Sequence, residues 1–352
     1  MKRVMQMIKA GVLGGTGYAG IETVRLLLKH PEAEVVRIVS HSYAGQKISD
    51  LYPNLKGICD LECSALDADD IASSCDVVFT ALPHGASKEV IPKLYEKGIK
   101  IIDLSGDFRY NDVEVYEKWY GQEHSAPELL KESVYGLCEL HRGEIKKARL
   151  IGNPGCYTTC SILALAPLAK SGIADNKSFI IDAKSGVTGA GRGLNLPNLF
   201  CECTESMKAY KVAAHRHTSE IEQELSLLAG EDIVLSFTPH LAPMKRGIFA
   251  TCYANLKGEH TSEELLRLYR DFYKDEKFVR IYPDGALPEI KHIAGSNYAA
   301  IGLVVDQRLN RVVVVSCIDN LIKGAAGQAV QNMNILFGLD EGTGLSDPGM
   351  YL

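Results

Sequence analysis

Short apolar runs with polar endings set the rhythm of the first half of the chain. "IKAGVLG" (8–14), "EVVRIVS" (34–40), "CDVVFTALPHG" (75–85) and "GIKIIDLSGDFR" (98–109) each open on a β-rich hydrophobic stretch. Runs of this length, bounded by turn residues, predict buried strands. Between the first two, "GIETVRLLLKHP" places Val24, Leu27 and Leu28 at helical spacing; "ASKEVIPKLYEKG" can form a helix between the third and fourth. Strand, Gly-rich turn, helix and strand, repeated, predict an α/β unit built on a parallel sheet covered on both faces. In such sheets ligands bind beyond the carboxyl ends of the strands.

After about residue 150 the pattern changes. "KSFIIDAKSG" (177–186), "DIVLSFTPHLAP" (232–243), "GIFATCYANL" (247–256) and "RVVVVSCID" (311–319) alternate better and are separated by long loops. "TSEELLRLYRDFYK" is an amphipathic helix with a capping box, Thr261 or Ser262 answered by Glu264 or Glu263. This predicts an α+β domain with a largely antiparallel sheet. "NLIKGAAGQAVQNMNILFG" (320–338) is a further helix that starts near Asn320 or Gly324 and closes at Gly338, and periodicity does not say where it packs.

Composition narrows the classes. The 352 residues suit two domains, and 46% hydrophobic with 23% charged residues supplies a core and argues against disorder. A net charge of −6 gives nucleic acid or an anionic membrane no bulk attraction, so an anionic small molecule must be held by a local site. No stretch approaches the roughly 20 apolar residues of a membrane span. The run in "MKRVMQMIKAGVLGG" is too short for a secretory leader. Ten cysteines without any C-x-x-C point to packed thiols in a reducing cytoplasm.

The first turn, "GGTGYAG", completes a series Gly11, Gly14, Gly17 and Gly20. Placed after the first strand and before the first helix, it predicts a Rossmann-type dinucleotide loop in which backbone N–H groups meet a pyrophosphate. The second strand ends in Ser40, His41 and Ser42, with Arg37 just before and no Asp or Glu across 37–43. An acidic residue would suit the free ribose of NAD; these residues suit the 2′-phosphate of NADP. His41 also reads as an ordinary loop histidine. "LPHG" (82–85) and "DLSGDFR" (103–109) read either as a floor under the nicotinamide half or as plain turns.

"IGNPGCYTTCSILALAPLAK" (151–170) carries the chemistry. Asn-Pro-Gly is a turn, and the helical run begins about where Cys156 stands. A helix amino end is partly positive and favours a thiolate. Cys160, one turn on, reads as core. Downstream, "AAHRHTSEIEQEL" (213–225) offers His215 and His217 at the threshold of a helix and Glu220 in its first turn. An imidazole oriented by a carboxylate can take and return a thiol proton. H-x-H with one carboxylate is incomplete as a metal site, so no metal is expected. Arg109, Arg192 and Arg246 are candidate anion handles.

Taken together, "GGTGYAG", "DLSGDFR", "NPGCYTT", "SGVTGAGR", "AHRHTSEIEQ" and "PMKRGI" resemble the N-acetyl-gamma-glutamyl-phosphate reductase family of arginine biosynthesis, over residues 8 to 338. That family is similar to aspartate-semialdehyde dehydrogenases in fold and chemistry. The resemblance implies an NADP-binding domain over 1–150, completed by 320–352, and a catalytic and oligomerisation domain over 151–319. It implies Cys156 as nucleophile, His217 as acid/base oriented by Glu220, and His215 against substrate; the two histidine roles could be reversed. It implies cofactor contacts from Gly14, Gly15, Thr16, Gly17, Tyr18, Gly20, Ser40, His41, Ser42, Pro83, His84, Gly85, Ser105, Ser185, Gly186 and Asn320. Substrate contacts fall to Arg109, Asn153, Arg192, Tyr210 and Arg246. The implied reaction reduces an acyl phosphate through a Cys156 thioester, in a cytoplasmic homotetramer. Aspartyl or aminoadipyl phosphate are rival substrates. An NADP-binding redox sensor and a cysteine hydrolase are rivals of other classes.

Overall fold

The structure is a computed structural model that describes residues 7–351; "MKRVMQ" at the amino end, weighed above as part of a leader, and Leu352 lie outside the described residues. The chain divides into two compact units, Met1–Pro154 with Ala325–Ser346, and Gly155–Gly324 with Asp347–Leu352.

The first unit is a six-stranded sheet of β1 (Ile8–Leu13), β2 (Ala33–Val39), β3 (Val77–Thr80), β4 (Lys100–Asp103), β5 (Ser133–Tyr135) and β6 (Leu150–Gly152). Its order is β2-β1-β3-β4-β6-β5, and all its pairs are parallel. All four residues of β3 are buried, as apolar runs in a doubly covered parallel sheet should be. Helix α1 (Tyr18–Leu27) follows β1, and α2 (Ser87–Glu96) links β3 to β4. The order reverses between β1 and β3, which marks the switch point where such sheets open a crevice. β5 and β6 were not predicted; three residues each are too few to show a period.

The helix Gly327–Leu336 belongs to this unit, and all ten of its residues are buried. Four of them are amides. Asn334 Oδ1 accepts from His30 Nε2 at 2.9 Å, and Asn332 donates to Gly136 O at 2.8 Å and to Asn153 Oδ1 at 3.0 Å. Burial on every side, with amides of all four polar residues bonded inside the unit, explains why no amphipathic stripe betrayed its place. The assignment of all of 320–352 to the first domain needs correction at both ends. Residues 320–324 lie in the second unit, as do 347–351, where Met350 N donates to Ala294 O at 2.8 Å and Tyr351 stacks on His292.

The second unit holds a seven-stranded sheet of β7 (Ile180–Gly186), β8 (Lys208–Ala209), β9 (Ser236–Ala242), β10 (Ile248–Asn255), β11 (Val279–Ile281), β12 (Ala299–Asp306) and β13 (Arg311–Ile318). The order is β11-β12-β13-β10-β7-β9-β8. Only β7/β9 and β11/β12 pair in parallel, so the sheet is mixed with antiparallel pairs in the majority. Helix α3 (Cys156–Ser171) is buried from Tyr157 through Ala169. Tyr269 and Tyr273 at the end of α5 (Ser262–Phe272) donate their hydroxyls to Ala164 O and Leu163 O, each at 2.6 Å. The capping box is Thr261 with Glu264. β12 was missed because "AAIGLVVD" is apolar on both faces and shows no alternation.

Candidate active site

In the first unit, α1 begins at Tyr18 with Gly17 as its cap; no side chain caps it, and its first turn carries no acidic residue. Gly14 has φ +75°, and a Cβ there would meet Ala81 O at 2.3 Å; one at Gly20 would meet Gly14 O at 2.2 Å. These two glycines are demanded by the loop itself. Gly17 is not: its φ is −79° and its nearest neighbour would be Gly14 O at 3.4 Å. Its missing side chain leaves room over a helix amino end whose partial charge suits a pyrophosphate. The residues present therefore fit a dinucleotide, with Gly15, Thr16 and Tyr18 in the same turn.

At the tip of β2, Ser40 is buried and its hydroxyl lies 2.9 Å from that of Thr16, while His41 and Ser42 are exposed. Arg37 is committed elsewhere: Nε and Nη2 each donate to Asp70 at 2.9 Å. Of the polar residues expected at a 2′-phosphate, Arg37 is thus already engaged in an ion pair.

The start of α2 is arranged the other way. Asp107, fully buried, accepts the N–H groups of Gly85 at 2.9 Å and Ser87 at 3.2 Å, and the Tyr116 hydroxyl at 3.1 Å. A carboxylate already fills that helix end, which closes it to another anion. Pro83 and His84 are exposed beside it, with His84 edge-on to Tyr120. Ser105 donates to Asp103 Oδ2 at 2.8 Å, and its Oγ accepts from Asp107 N at 3.2 Å. Burial, then the nearby Asp107 charge, push the Asp103 carboxyl above the ordinary range.

Arg109 and Asn153, expected at the substrate, are buried inside this unit. Arg109 Nε donates to Asn153 O at 2.6 Å and Nη2 to Leu104 O at 3.1 Å; Asn153 Nδ2 donates to Ala325 O at 3.1 Å. These bonds clamp the chain directly ahead of Pro154. The structure gives both residues a framework part that their polarity alone did not reveal.

In the second unit, Cys156 is the first residue of α3 and partly exposed, with Gly155 as cap. Cys160 is buried against Ser316, and desolvation pushes its thiol up to about 12. The two thiols on one helix face thus have opposite environments, as their positions suggested. Glu220 lies in the first turn of α4 (His217–Ala229) and is fully buried. Its Oε1 accepts Gly155 N–H at 2.9 Å and the Thr158 hydroxyl at 2.8 Å. These bonds place a buried carboxylate at the threshold of the thiol helix.

His215 Nδ1 accepts the N–H of His217 at 3.1 Å, which places the proton of the neutral ring on Nε2 and ties His215 to the start of α4. The two imidazoles lie 4.7 Å apart, and both pack edge-on against Tyr157, the residue after the cysteine. The Tyr210 hydroxyl donates to that of Tyr157 at 3.3 Å. Burial pushes the Tyr210 phenol up to about 12, with the Cys156 charge adding to the rise. One cluster therefore joins Cys156, Tyr157, Tyr210, His215, His217 and Glu220.

Ser185, Gly186 and Asn320 meet in a second cluster. Asn320 Oδ1 accepts Gly247 N–H at 2.8 Å and its Nδ2 donates to Thr188 Oγ1 at 3.0 Å, while Gly186 N donates to Gly247 O at 2.9 Å. A Cβ on Gly186 would strike Lys245 O at 2.6 Å. Arg246 lies beside buried Asp319, and Arg192 is exposed in the loop after β7. Sequence reasoning missed Gly324, whose Cβ would lie 2.7 Å from that of Cys156. Only the neighbouring "KGAAG" hinted that small residues were needed there. Among the described residues no group of three or more His, Cys, Asp or Glu is placed to hold a metal ion.

Comparison with known proteins agrees with this arrangement. A protein of Acetivibrio thermocellus named N-acetyl-gamma-glutamyl-phosphate reductase is 64% identical over 346 residues, covering 98% of this chain and 100% of its own. The chain belongs to the N-acetyl-gamma-glutamyl-phosphate reductase family. A further member, from Pelotomaculum thermopropionicum, is 54% identical over 98% of this chain and 99% of its own length. The family described as "Semialdehyde dehydrogenase, NAD binding domain" matches residues 9–148, and "Semialdehyde dehydrogenase, dimerisation domain" matches 156–320. Among solved structures, aspartate semialdehyde dehydrogenase II of Vibrio cholerae has a TM-score of 0.72 at 14% identity, over 95% of this chain and 99% of its own. The Candida albicans aspartate semialdehyde dehydrogenase with NADP has a TM-score of 0.69 at 18% identity, over 94% and 99%. At such identities these two share the fold.

Proposed function

We propose that this chain reduces N-acetyl-gamma-glutamyl phosphate to N-acetyl-L-glutamate 5-semialdehyde and phosphate, the activity named for its relatives in arginine biosynthesis. The observation that carries the reading is the cluster at α3. A partly exposed thiol opens a helix, and two imidazoles pack on the next residue.

The thiolate of Cys156 attacks the gamma-carbonyl, and phosphate leaves to give a thioester. His217 receives the thiol proton and returns it when the acyl group departs as the aldehyde; solvent supplies the one proton that the reduction consumes. His215, with Nδ1 occupied by the His217 N–H, contacts substrate through Nε2. Tyr210, Arg192 and Arg246 face the substrate's anionic groups. The α1 loop would hold NADPH, which when bound would supply hydride chemistry for the thioester's reduction. Gly14, Gly15, Thr16, Gly17, Tyr18 and Gly20 hold its pyrophosphate, Ser40, His41 and Ser42 its 2′-phosphate. Pro83, His84, Gly85 and Ser105 would frame its nicotinamide half, and Ser185, Gly186 and Asn320 of the second unit are proposed as further cofactor contacts.

We place the protein in the cytoplasm as a homotetramer. The loop between β7 and β8 supports assembly: Leu194 is 98% and Phe200 77% exposed, more apolar surface than a lone subunit favours. Among the described residues no helix is long and apolar enough to cross a membrane.

The test is phosphate-dependent NADP reduction with N-acetylglutamate semialdehyde beside aspartate semialdehyde. Strong preference for the first is expected, and preference for the second would move the substrate while keeping the mechanism. Cys156→Ser should abolish turnover and keep NADPH binding; normal turnover in that variant removes the nucleophile.

A further inference from the structure

Asp319 closes β13 and is wholly buried. Its Oδ1 accepts the N–H groups of Leu321 at 2.8 Å and Ile322 at 3.1 Å, and its Oδ2 accepts that of Gly295 at 2.8 Å. Both oxygens lie 3.5 Å from Arg246 Nη1. The carboxylate thus does two things. It caps the turn 319–324, whose last N–H, that of Gly324, returns to Asp319 O at 2.9 Å. It also faces a guanidinium whose side chain is 27% exposed.

Each arm ends at a group the reaction needs. Gly324 abuts Cys156 so closely that a Cβ would stand 2.7 Å from the cysteine Cβ and 3.0 Å from its Cα. Arg246 has its main chain fixed independently: Gly247 N–H is held by Asn320 Oδ1, and Gly186 packs with its would-be Cβ 2.8 Å from Arg246 N. With that backbone pinned, the Asp319 carboxylate bears directly on the direction of the guanidinium.

We propose that Asp319 is a positioning residue: it aims Arg246 at an anionic group of the substrate and seats the Gly324 turn against Cys156. This rests on the functional reading above. The charge is required for a specific reason. An amide in its place keeps one acceptor for Leu321 and Ile322 but turns an NH2 toward the Gly295 N–H and the Arg246 guanidinium, so donors face donors. The anion Arg246 meets is a carboxylate or a phosphate, and the two are separable in the oxidative direction, where semialdehyde and phosphate bind as distinct substrates.

The experiment measures KM for N-acetylglutamate semialdehyde, phosphate and NADP in wild type, Asp319→Asn, Arg246→Gln and the double variant. A wild type without phosphate-dependent turnover sinks the functional reading and this proposal with it. With an active wild type, Asp319→Asn should raise KM for semialdehyde or for phosphate by roughly 10- to 100-fold, the size of one lost charge-assisted contact. KM for NADP should stay within about twofold, less than any such contact. Arg246→Gln should raise the same KM, and the double variant should raise that KM no further, because on KM Asp319 acts through Arg246, whereas its hold on the Gly324 turn is read in kcat. Multiplying effects, or KM for all three rising together with a lost melting transition, would assign Asp319 a merely structural part. Should Asp319→Asn not fold, Arg246→Gln decides: an unchanged KM for both semialdehyde and phosphate overturns the proposal.

Discussion

Glu220 Oε1 accepts the N–H of Gly155, the cap residue directly ahead of Cys156, at 2.9 Å. The same oxygen takes the Thr158 hydroxyl at 2.8 Å. A thiol at a helix amino end is stabilised as thiolate by unsatisfied N–H groups. Here one of those groups is already spent on a buried carboxylate, whose negative charge opposes ionisation of the neighbouring sulfur. The helix end and the carboxylate therefore pull the thiol in opposite directions.

Replacing Glu220 by Gln keeps the acceptor and removes the charge. The pH midpoint of Cys156 alkylation by iodoacetamide should fall by about 0.5 unit or more, since ~1 kcal/mol at a helix end corresponds to roughly 0.7 pKa unit. A rise in the midpoint would instead mean that Glu220 acts on the thiol by stabilising a histidinium, the role its place in "HRHTSE" first suggested.

That difference shows what a linear reading reaches. The thiol at the head of α3, the glycine turn ahead of α1 and four of the six strands of the parallel sheet were legible because each is a local pattern: a turn followed by a helix, or a run of apolar residues. Partners across space were not. His217 and Glu220 are three residues apart, which made their pairing visible, whereas Glu220 and Gly155 are 65 apart, and no spacing rule joins them. Arg109 reads as a candidate anion handle because a guanidinium at a strand tip can hold carboxylate or phosphate; its burial against Asn153 O is a tertiary fact. The Gly327–Leu336 helix was legible as a helix over 320–338, but its packing was not, since its amides are buried alongside its apolar residues and leave no stripe.

Gly324 should not tolerate a methyl group. Its Cβ would lie within 3.0 Å of two Cys156 atoms, and neither the first turn of α3 nor the turn capped by Asp319 is free to yield. Gly324→Ala should cost about 1–3 kcal/mol of stability and lower kcat sharply through displacement of the sulfur. Gly143→Ala is the control: it lies in the helix Cys138–Ile145 with nothing within 4 Å, and should be neutral or gain about 0.5–1 kcal/mol. Equal activity of the two variants in a turnover assay would show that the thiol is not seated by that wall.

Cofactor choice should turn on the exposed tip of β2. Arg37 is held by Asp70, so His41 and Ser42 stand alone at the surface beside buried Ser40. Placing a carboxylate there repels a 2′-phosphate and offers an acceptor to a free 2′-hydroxyl. His41→Asp should raise KM for NADPH by roughly tenfold, about 1.4 kcal/mol, and leave KM for NADH equal or lower. Steady-state kinetics with both coenzymes checks this; an unchanged NADPH KM would take His41 out of the binding site.

Asp103 offers a test of the fold by pH. Its carboxyl is wholly buried and accepts from Thr80 Oγ1 at 2.6 Å and from Ser105 N at 3.1 Å, both on Oδ1. Burial and the neighbouring Asp107 raise its pKa in the folded state above the roughly 3.9 of an unfolded chain. The folded protein thus holds this proton more tightly than the unfolded one. Below about pH 4 both states are protonated and the site costs nothing; as pH climbs through the raised folded value, ionisation in a dry site erodes stability. Asp103→Asn keeps the Oδ1 acceptor and lets an amide N–H meet the Ser105 hydroxyl. Its melting temperature should exceed that of the wild type at pH 8, by about 2–4 °C for each kcal/mol relieved. The gap should close as pH falls toward 4. A variant less stable at pH 8 would mean that the three hydrogen bonds to the charged carboxylate outweigh its desolvation, and the sign of the whole pH profile would reverse.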